Sequence, residues 1–410
     1  MKKRALVIGK VWPEPGSSAA GRHMLEIMQS LLASDWQVTF ATAATDDRYS
    51  FDLHKLSIAT AQIAVNDDSF DHWLIELNPQ LVIFDRFMTE EQFGWRVARY
   101  CPQAGRGLDT EDLHFLREYR QHVADKSFGD VVLEPEVLLD SNLALREIAS
   151  LYRSDLTLMI SQAEMQLLQK LLPIASQQMF YFPFISEGRK TENPDDFAHR
   201  RDFVFIGTMM HKPNQQAVRL LKKSLWPKIR QRLPNARLQV IGSYMGTEFL
   251  QMHKPSEGFE VLGRVDDLTA VLKKARIHLA PLLFGAGLKG KLLEAMEYGV
   301  VSVTTRIGAE GISEVDQWPG RVVDSEAEMI EAAVTLYEDE SSWMACQQRG
   351  FEILQKQFSA AHLVKLQQRF DDLLLNLPAL RQQNFFGRML QHHFHASTEY
   401  MSRWITAKNL

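Results

Sequence analysis

The sequence predicts an α/β protein built from two doubly wound domains. Three observations carry this. Short apolar runs alternate with segments of helical spacing in both halves, the pattern of βαβ units. The runs are continuously apolar, as in parallel strands covered on both faces. A polar stretch over 186–201, with Gly188 and Pro194, separates the halves and reads as a linker. The expected divisions are 1–185, the linker 186–201, 202–358, and a last helix with tail over 359–410.

The stretch from Leu279 to Gly299 organises the second half. It reads as a buried strand end, the loop Gly285-Ala286-Gly287-Leu288-Lys289-Gly290-Lys291, and a helix over 288–298. Gly285, Gly287 and Gly290 allow sharp turns and close approach to a ligand. The loop opens into a helix N-terminus, whose unpaired N–H groups and positive dipole end suit a phosphate. Lys289 and Lys291 add positive charge. Glu294 lies about one turn further in, placed for sugar hydroxyls as an acid serves a ribose in other nucleotide folds. A plain βα turn with solvated lysines accounts for the same residues. The spacing is neither that of a P-loop nor that of Gly-x-Gly-x-x-Gly.

Bulk properties narrow the classes. The 410 residues are 45% hydrophobic and 24% charged, ordinary for a globular protein, with net charge −5. No affinity for nucleic acid is implied. Two cysteines, Cys101 and Cys346, argue for a reducing compartment. The apolar run 5–8 is too short for a signal segment, and no stretch reaches the ~18 apolar residues of a membrane span. A cytoplasmic protein is expected.

In order, 5–8 is the first strand. Two prolines and Gly16 make a loop, and Ser17 or Ser18 could cap the helix that follows. Strands are expected over 36–40 and 81–84, helices over 70–77 and 91–100. Arg86 follows the strand 81–84, where open α/β sheets gather ligands. It could bind an acidic group or pair with Asp85. Asp109 or Thr110 could cap a helix with Glu111 and Asp112 in its first turn. His114 then stands near that helix start. Residues 134–153 read as a helix, 156–160 as a strand, and Ser161 to Glu164 as a capping box. Strands follow over 203–206, 238–241, 259–262, 277–280 and 300–304. Helices are expected over 215–232, 268–275 and 327–338. The run 358–375 is amphipathic. The tail carries Phe385, Phe386, Met389, Phe394 and Trp404, which could pack on the N-terminal domain or touch a membrane interface or partner.

The block 203–312 resembles the C-terminal domain of the retaining GT-B glycosyltransferases of the "group 1" or GT4 family. The resembling pieces are Phe203 to Gly207, Pro213-Asn214, Trp226-Pro227, Leu238 to Gly242, Val261 to Gly263 with Val265-Asp266, the glycine–lysine loop with Leu293 to Met296, and Gly308 to Ile312. The segment Asp109, Asp112, His114, Arg117, Glu118 resembles the Asp-x-x-Asp-x-His-x-x-Arg-Glu pattern of part of that family.

The resemblance implies two Rossmann-like domains facing a central cleft, with a nucleotide-sugar on the second and the acceptor on the first. It implies metal-independent transfer to a hydroxyl of a glycan or lipid-linked acceptor, in bacterial surface polysaccharide assembly. His114 would sit beside the sugar, with Asp109 and Asp112 near it. Gly16, Ser17 and Ser18 would face phosphates and acceptor, and Arg264 the base. Lys289 would grip the diphosphate that Gly207 approaches, with Lys212 a substitute for the basic residues usual after that glycine. The family's first loop glutamate falls here on Ala286, two residues before Leu288, and Glu294 matches the second. A sugar-nucleotide 2-epimerase or a non-catalytic nucleotide-sugar binder on the same fold are the rival readings.

Overall fold

The computed structural model describes residues 2–45, 49–123, 128–129, 132–190, 197–265 and 267–409, with the side chains of 393–396 and 409 excluded. Asp266, part of the expected linker (191–196) and the side chain of Phe394 therefore lie outside the described residues.

The chain forms two compact units. The first comprises Met1–Phe115, Glu134–Pro183 and Ala361–Leu410, the second Leu116–Leu133 and Phe184–Ala360. The first is built on the strands β1 (Arg4–Gly9), β2 (Gln37–Thr42), β3 (Ala59–Gln62), β4 (Leu81–Asp85), β5 (Gly105–Asp109), β6 (Leu156–Met159) and β7 (Met179–Tyr181). Their order is β3-β2-β1-β4-β5-β6-β7, and every pairing is parallel. The second unit holds β8 (Asp202–Ile206), β9 (Arg237–Ile241), β10 (Phe259–Gly263), β11 (Ala275–Ala280), β12 (Val301–Thr304) and β13 (Gly320–Val322). Their order is β10-β9-β8-β11-β12-β13, again all parallel. Both sheets thus reverse direction of winding once, at β1/β4 and at β8/β11, the places where doubly wound sheets collect ligands.

The central strands are apolar because both faces are covered. Ala5, Leu6, Val7 and Ile8 of β1, Leu81 to Phe84 of β4 and Phe203 to Phe205 of β8 are all buried. Buried charges are matched. Asp155 accepts from the Arg106 backbone N–H at 2.9 Å and lies between the guanidinium groups of Arg106 and Arg381, at 3.3 and 2.6 Å. Burial works to raise its carboxyl pKa, but the two arginines outweigh that and hold it low. Arg200 donates to the carbonyls of Leu272, Ala275 and Tyr298, tying strand edge to helix end.

Several boundaries differ from expectation. The helix expected over 134–153 is two, Pro135–Leu139 and Asn142–Arg153, because Ser141 caps the second by accepting the Ala144 N–H. The helix expected over 215–232 contains a π-helical turn, Leu221–Leu225, just ahead of Pro227, which has no N–H to continue the regular ladder. The tail is a single helix, Phe385–Asn409, which packs on the helix Asn142–Arg153 of the same unit.

The Asp155 cluster yields a test. Asp155→Ala leaves buried positive charge unmatched, and we expect a loss of about 3–5 kcal/mol in urea unfolding. Arg381→Ala should cost less, since its side chain is a quarter exposed.

Candidate functional site

In the second unit the candidate site lies at the β8/β11 switch point. β8 is followed by buried Gly207; β11 leads through Pro281 into the glycine loop. A Cβ on Gly207 would stand 2.7 Å from the Asn214 amide and 2.9 Å from the Lys291 ammonium, so a side chain there would push these two groups aside. Likewise a Cβ on Gly242, after β9, would meet the Gly207 carbonyl oxygen at 1.9 Å. Gly285 and Gly287 take φ of +154° and +64°, backbone that favours glycine. Leu288 and Gly290 are buried, and Ala286 is partly open to solvent.

The helix after the loop is Gly290–Glu297, two residues later than expected at its start, with Lys289 in the N-cap position. The Lys289 side chain does not cap the helix, and its ammonium donates to the Gly287 carbonyl at 2.8 Å. Glu294 is half-buried, one turn into this helix. Lys291 is hydrogen-bonded to the Asn214 carboxamide oxygen and sits 5.0 Å above the Phe205 ring. Burial, and then the charge of Lys289, bring its pKa down to about 7. Lys212, by contrast, is exposed at the first position of the helix Lys212–Leu220. Arg264 is exposed beyond β10.

Glu310 was not singled out from the sequence, although it lies in the Gly308 to Ile312 motif. It receives both terminal nitrogens of Arg120 at 2.7 and 2.6 Å and stands 3.9 Å from the Lys289 ammonium. Arg120 also donates to the Gly285 carbonyl at 2.9 Å. Burial works to raise the Glu310 pKa, but Arg120 and Lys289 bring it below the usual range. One carboxylate therefore orients two cations at the loop. Electrostatically the site is cationic, with a helix N-terminus open to the same side, and it suits a polyanion.

In the first unit, residues around the β1/β4 switch point come together. Ser18 caps the helix Ala19–Ala33 by accepting the Gly21 N–H at 3.0 Å, and the turn through Gly16 and Ser17 folds back on the Glu14 carbonyl. Asp85 accepts the Lys10 N–H at 3.0 Å and the Arg86 guanidinium at 3.3 Å. Arg86 has φ +67° and donates its N–H to the Asp109 carbonyl. Burial acts to lower its pKa, but Asp85, Glu111, Asp112 and Asp109 together raise it.

Asp109 does not cap a helix, as the sequence suggested. It ends β5, fully buried, and the helix His114–Val123 begins five residues later. The free N–H groups there are met by remote glutamates instead. Glu147 accepts from the N–H groups of His114 and Phe115 at 3.0 and 2.9 Å, and Glu164 from Leu113 at 3.3 Å. The His114 ring is held by the same Glu147 at 3.2 Å and by the Asp112 carbonyl at 3.1 Å, both through Nδ1, and meets Phe87 edge-on. With Nδ1 so engaged, acid–base or hydrogen-bonding chemistry falls to Nε2. The Asp112 carboxylate is 4.0 Å from the ring.

A second histidine, His23, escaped sequence reading because it looks like a helix-core position. It is fully buried, stacked on Phe182, 3.4 Å from Glu111 and 3.7 Å from Asp109. Burial works to lower its pKa, but Asp109 and Glu111 lift it to about 9. Among the described residues these three offer donor atoms that all lie within 4.8 Å of one another, and burial pushes the Asp109 carboxyl up to about 8. The His23 proton stabilises the fold fully below 6.5, and this is lost as pH rises through about 9; the raised Asp109 carboxyl acts in the same direction. We expect the melting temperature to fall over that window, and His23→Gln to remove that part of the slope.

Comparison with known proteins follows the same lines. Residues 200–339 match the family model described as glycosyl transferases group 1. No curated protein matches the chain by sequence. Among solved structures, sucrose-phosphate synthase from Thermosynechococcus elongatus is similar at TM-score 0.71 and 14% identity, covering 91% of this chain and 100% of that one. Anabaena Alr3699/HepE, in complex with UDP and glucose, is similar at 0.64 and 12%, covering 91% and 99%. WaaG, a glycosyltransferase involved in lipopolysaccharide biosynthesis, is similar at 0.62 and 14%, covering 89% and 98%. The fold of this chain, two Rossmann-like domains each wound on a parallel sheet, is the GT-B fold of these glycosyltransferases.

Proposed function

We propose that the protein is a retaining glycosyltransferase that moves a sugar from a nucleotide-sugar to a hydroxyl of a glycan or lipid-linked acceptor, in bacterial surface polysaccharide assembly. The observation that carries the donor half of this reading is the cationic loop at the β8/β11 switch point. There Lys289 and Lys291 flank a helix N-terminus that no lysine side chain caps. The match of 200–339 to group 1 glycosyl transferases supports it, as do the UDP complex of the Anabaena protein and the lipopolysaccharide role of WaaG.

In this mechanism the bond from the anomeric carbon to the diphosphate breaks and the acceptor hydroxyl oxygen bonds to that carbon. The hydroxyl proton passes to the leaving phosphate, on which negative charge builds as the bond breaks. Lys289 and Lys291, the loop N–H groups and the helix N-terminus stabilise that charge in place, the preorganised electrostatics that dominates many enzymes. Glu310 sets the position of Lys289, and Glu294 binds ribose hydroxyls. The lysines supply the positive charge, so no metal is required. The acceptor is assigned to the first domain, residues 1–185, near Gly16 to Ser18, with Arg86 and Asp109 behind it. His114 polarises a sugar hydroxyl through Nε2. Residues 202–358 form the donor domain, and the protein works in the cytoplasm.

A nucleotide panel tests the donor site. About 100 Kd of the right nucleoside diphosphate should stabilise the protein by roughly 2.7 kcal/mol in a thermal-shift assay. Lys289→Ala and Lys291→Met should abolish the shift, and Glu294→Ala should weaken binding by about 1.5–3 kcal/mol. A wild-type protein that shifts with no nucleotide would sink the assignment. Release of nucleoside diphosphate only when an acceptor is supplied separates transfer from epimerisation.

Lys291 adds a pH signature. Its pKa of about 7 rises when a diphosphate binds beside it. Below that pH the proton is already in place; above it, binding must take one up. The Kd measured by calorimetry should therefore rise with pH above 7, by at most about tenfold per unit, and Lys291→Met should flatten the profile.

A further inference from the structure

The helix Phe385–Asn409 has two unlike sides. Its inner side is fixed to the first unit. A Cβ on Gly387 would stand 2.2 Å from the Tyr152 carbonyl oxygen, Gln391 donates to the Arg153 carbonyl at 3.0 Å, and buried Ser402 accepts from Arg96 at 3.0 Å. The outer side is apolar and open. Phe385, Tyr400 and Trp404 are 61%, 70% and 59% exposed, and Phe386, Met389 and Met401 are exposed beside them. Positions 385, 389, 400, 404 and 408 fall on one face at 3.6 residues per turn. The helix is about 37 Å long at 1.5 Å per residue.

Charge on this helix is one-sided. It carries Arg388, Arg403 and Lys408 against a single carboxylate, Glu399, in a chain of net charge −5. Glu399 is neutralised within the protein by Arg99 and Arg403. A shallow surface hollow of about 490 Å³ beside the stripe is lined by Trp95, Arg99, Arg388, Gln391 and His392, with Glu399 its one carboxylate. Aromatic residues with polar tips, set among Arg and Lys on one helix face, suit the headgroup region of a bilayer. The basic residues complement lipid phosphates. No helix among the described residues is long and apolar enough to cross a membrane, so a helix of this kind lies on the surface.

We propose that the outer face of Phe385–Asn409 docks on a bilayer carrying anionic phospholipid. Phe385, Phe386, Tyr400 and Trp404 enter the headgroup–acyl boundary, and Arg388 and Lys408 meet the phosphates. The proposal does not depend on the transferase reading, because vesicle binding is measured without nucleotide.

Flotation of the full chain with vesicles tests it. The protein should float with phosphatidylcholine–phosphatidylglycerol vesicles, bind phosphatidylcholine alone far more weakly, and be released by added salt. The double variant Phe385→Ser/Trp404→Ser should lose about tenfold or more of the partitioning, and Arg388→Glu/Lys408→Glu a similar factor on anionic vesicles only. Both variants change exposed side chains. Wild-type circular dichroism, melting and nucleotide shift in these variants show that the fold and the donor site are intact. Wild-type protein that stays unbound with anionic vesicles overturns the proposal, as do variants that float like wild type. A dimer in light scattering that Trp404→Ser dissolves also overturns it, by assigning the face to a second copy of the chain.

Discussion

A parallel sheet covered on both faces leaves a ligand only one place to meet the backbone, the carboxyl ends of its strands. Both sheets here are wholly parallel and share one winding order, so in each the neighbouring loops part at a single point. The candidate site residues of each unit gather there. In the second unit the loop after β11 and Gly207 after β8 frame the lysines; in the first, Asp85, Arg86 and Asp109 end adjacent strands. The helices and apolar strands serve chiefly to hold these ends at fixed spacing.

Placing cations at such a point has an energetic difficulty, since buried Lys289 and half-buried Lys291 repel and lose hydration. The protein resolves it asymmetrically. Lys289 lies near Glu310 and reaches a loop carbonyl, and Glu310 is itself matched by Arg120. Lys291 is given a neutral amide and an aromatic face instead of a carboxylate, which is why its proton is loosely held. A bound polyanion would relieve both groups at once. The first unit shows the reverse arrangement, with excess carboxylate around His23 and Arg86.

How far the sequence alone reaches is clear from particular residues. Ala5 to Ile8 and Leu81 to Phe84 announce buried strands because nothing polar interrupts them, and the glycine loop announces a turn into a helix. The strand Gly105–Asp109 is harder to see, since its alternating glycines carry no apolar signal. The start of the helix at His114 was misplaced for a related reason. Local chemistry offers Asp109 and Thr110 as caps, but the structure uses Glu147, 33 residues away from His114 in sequence. The pairing of Arg120 with Glu310 spans 190 residues. Such partners are set by topology, and no local spacing encodes them. Which lysine is buried and which is exposed is a question of the same kind: Lys212 and Lys291 read alike until the sheet places them.

The glycines at the strand ends carry a consequence for how such a protein diverges. Gly242 is in van der Waals conflict with any side chain because the Gly207 carbonyl occupies the space, and Gly308 because Thr304 does, with its hydroxyl 1.9 Å from a Cβ there. Neither restriction concerns a ligand. These positions are frozen by geometry, while exposed neighbours such as Met210 and Arg264 are free to vary. Side-chain change near the loop is thereby left to positions that rim it, while the backbone that frames it has little room to alter.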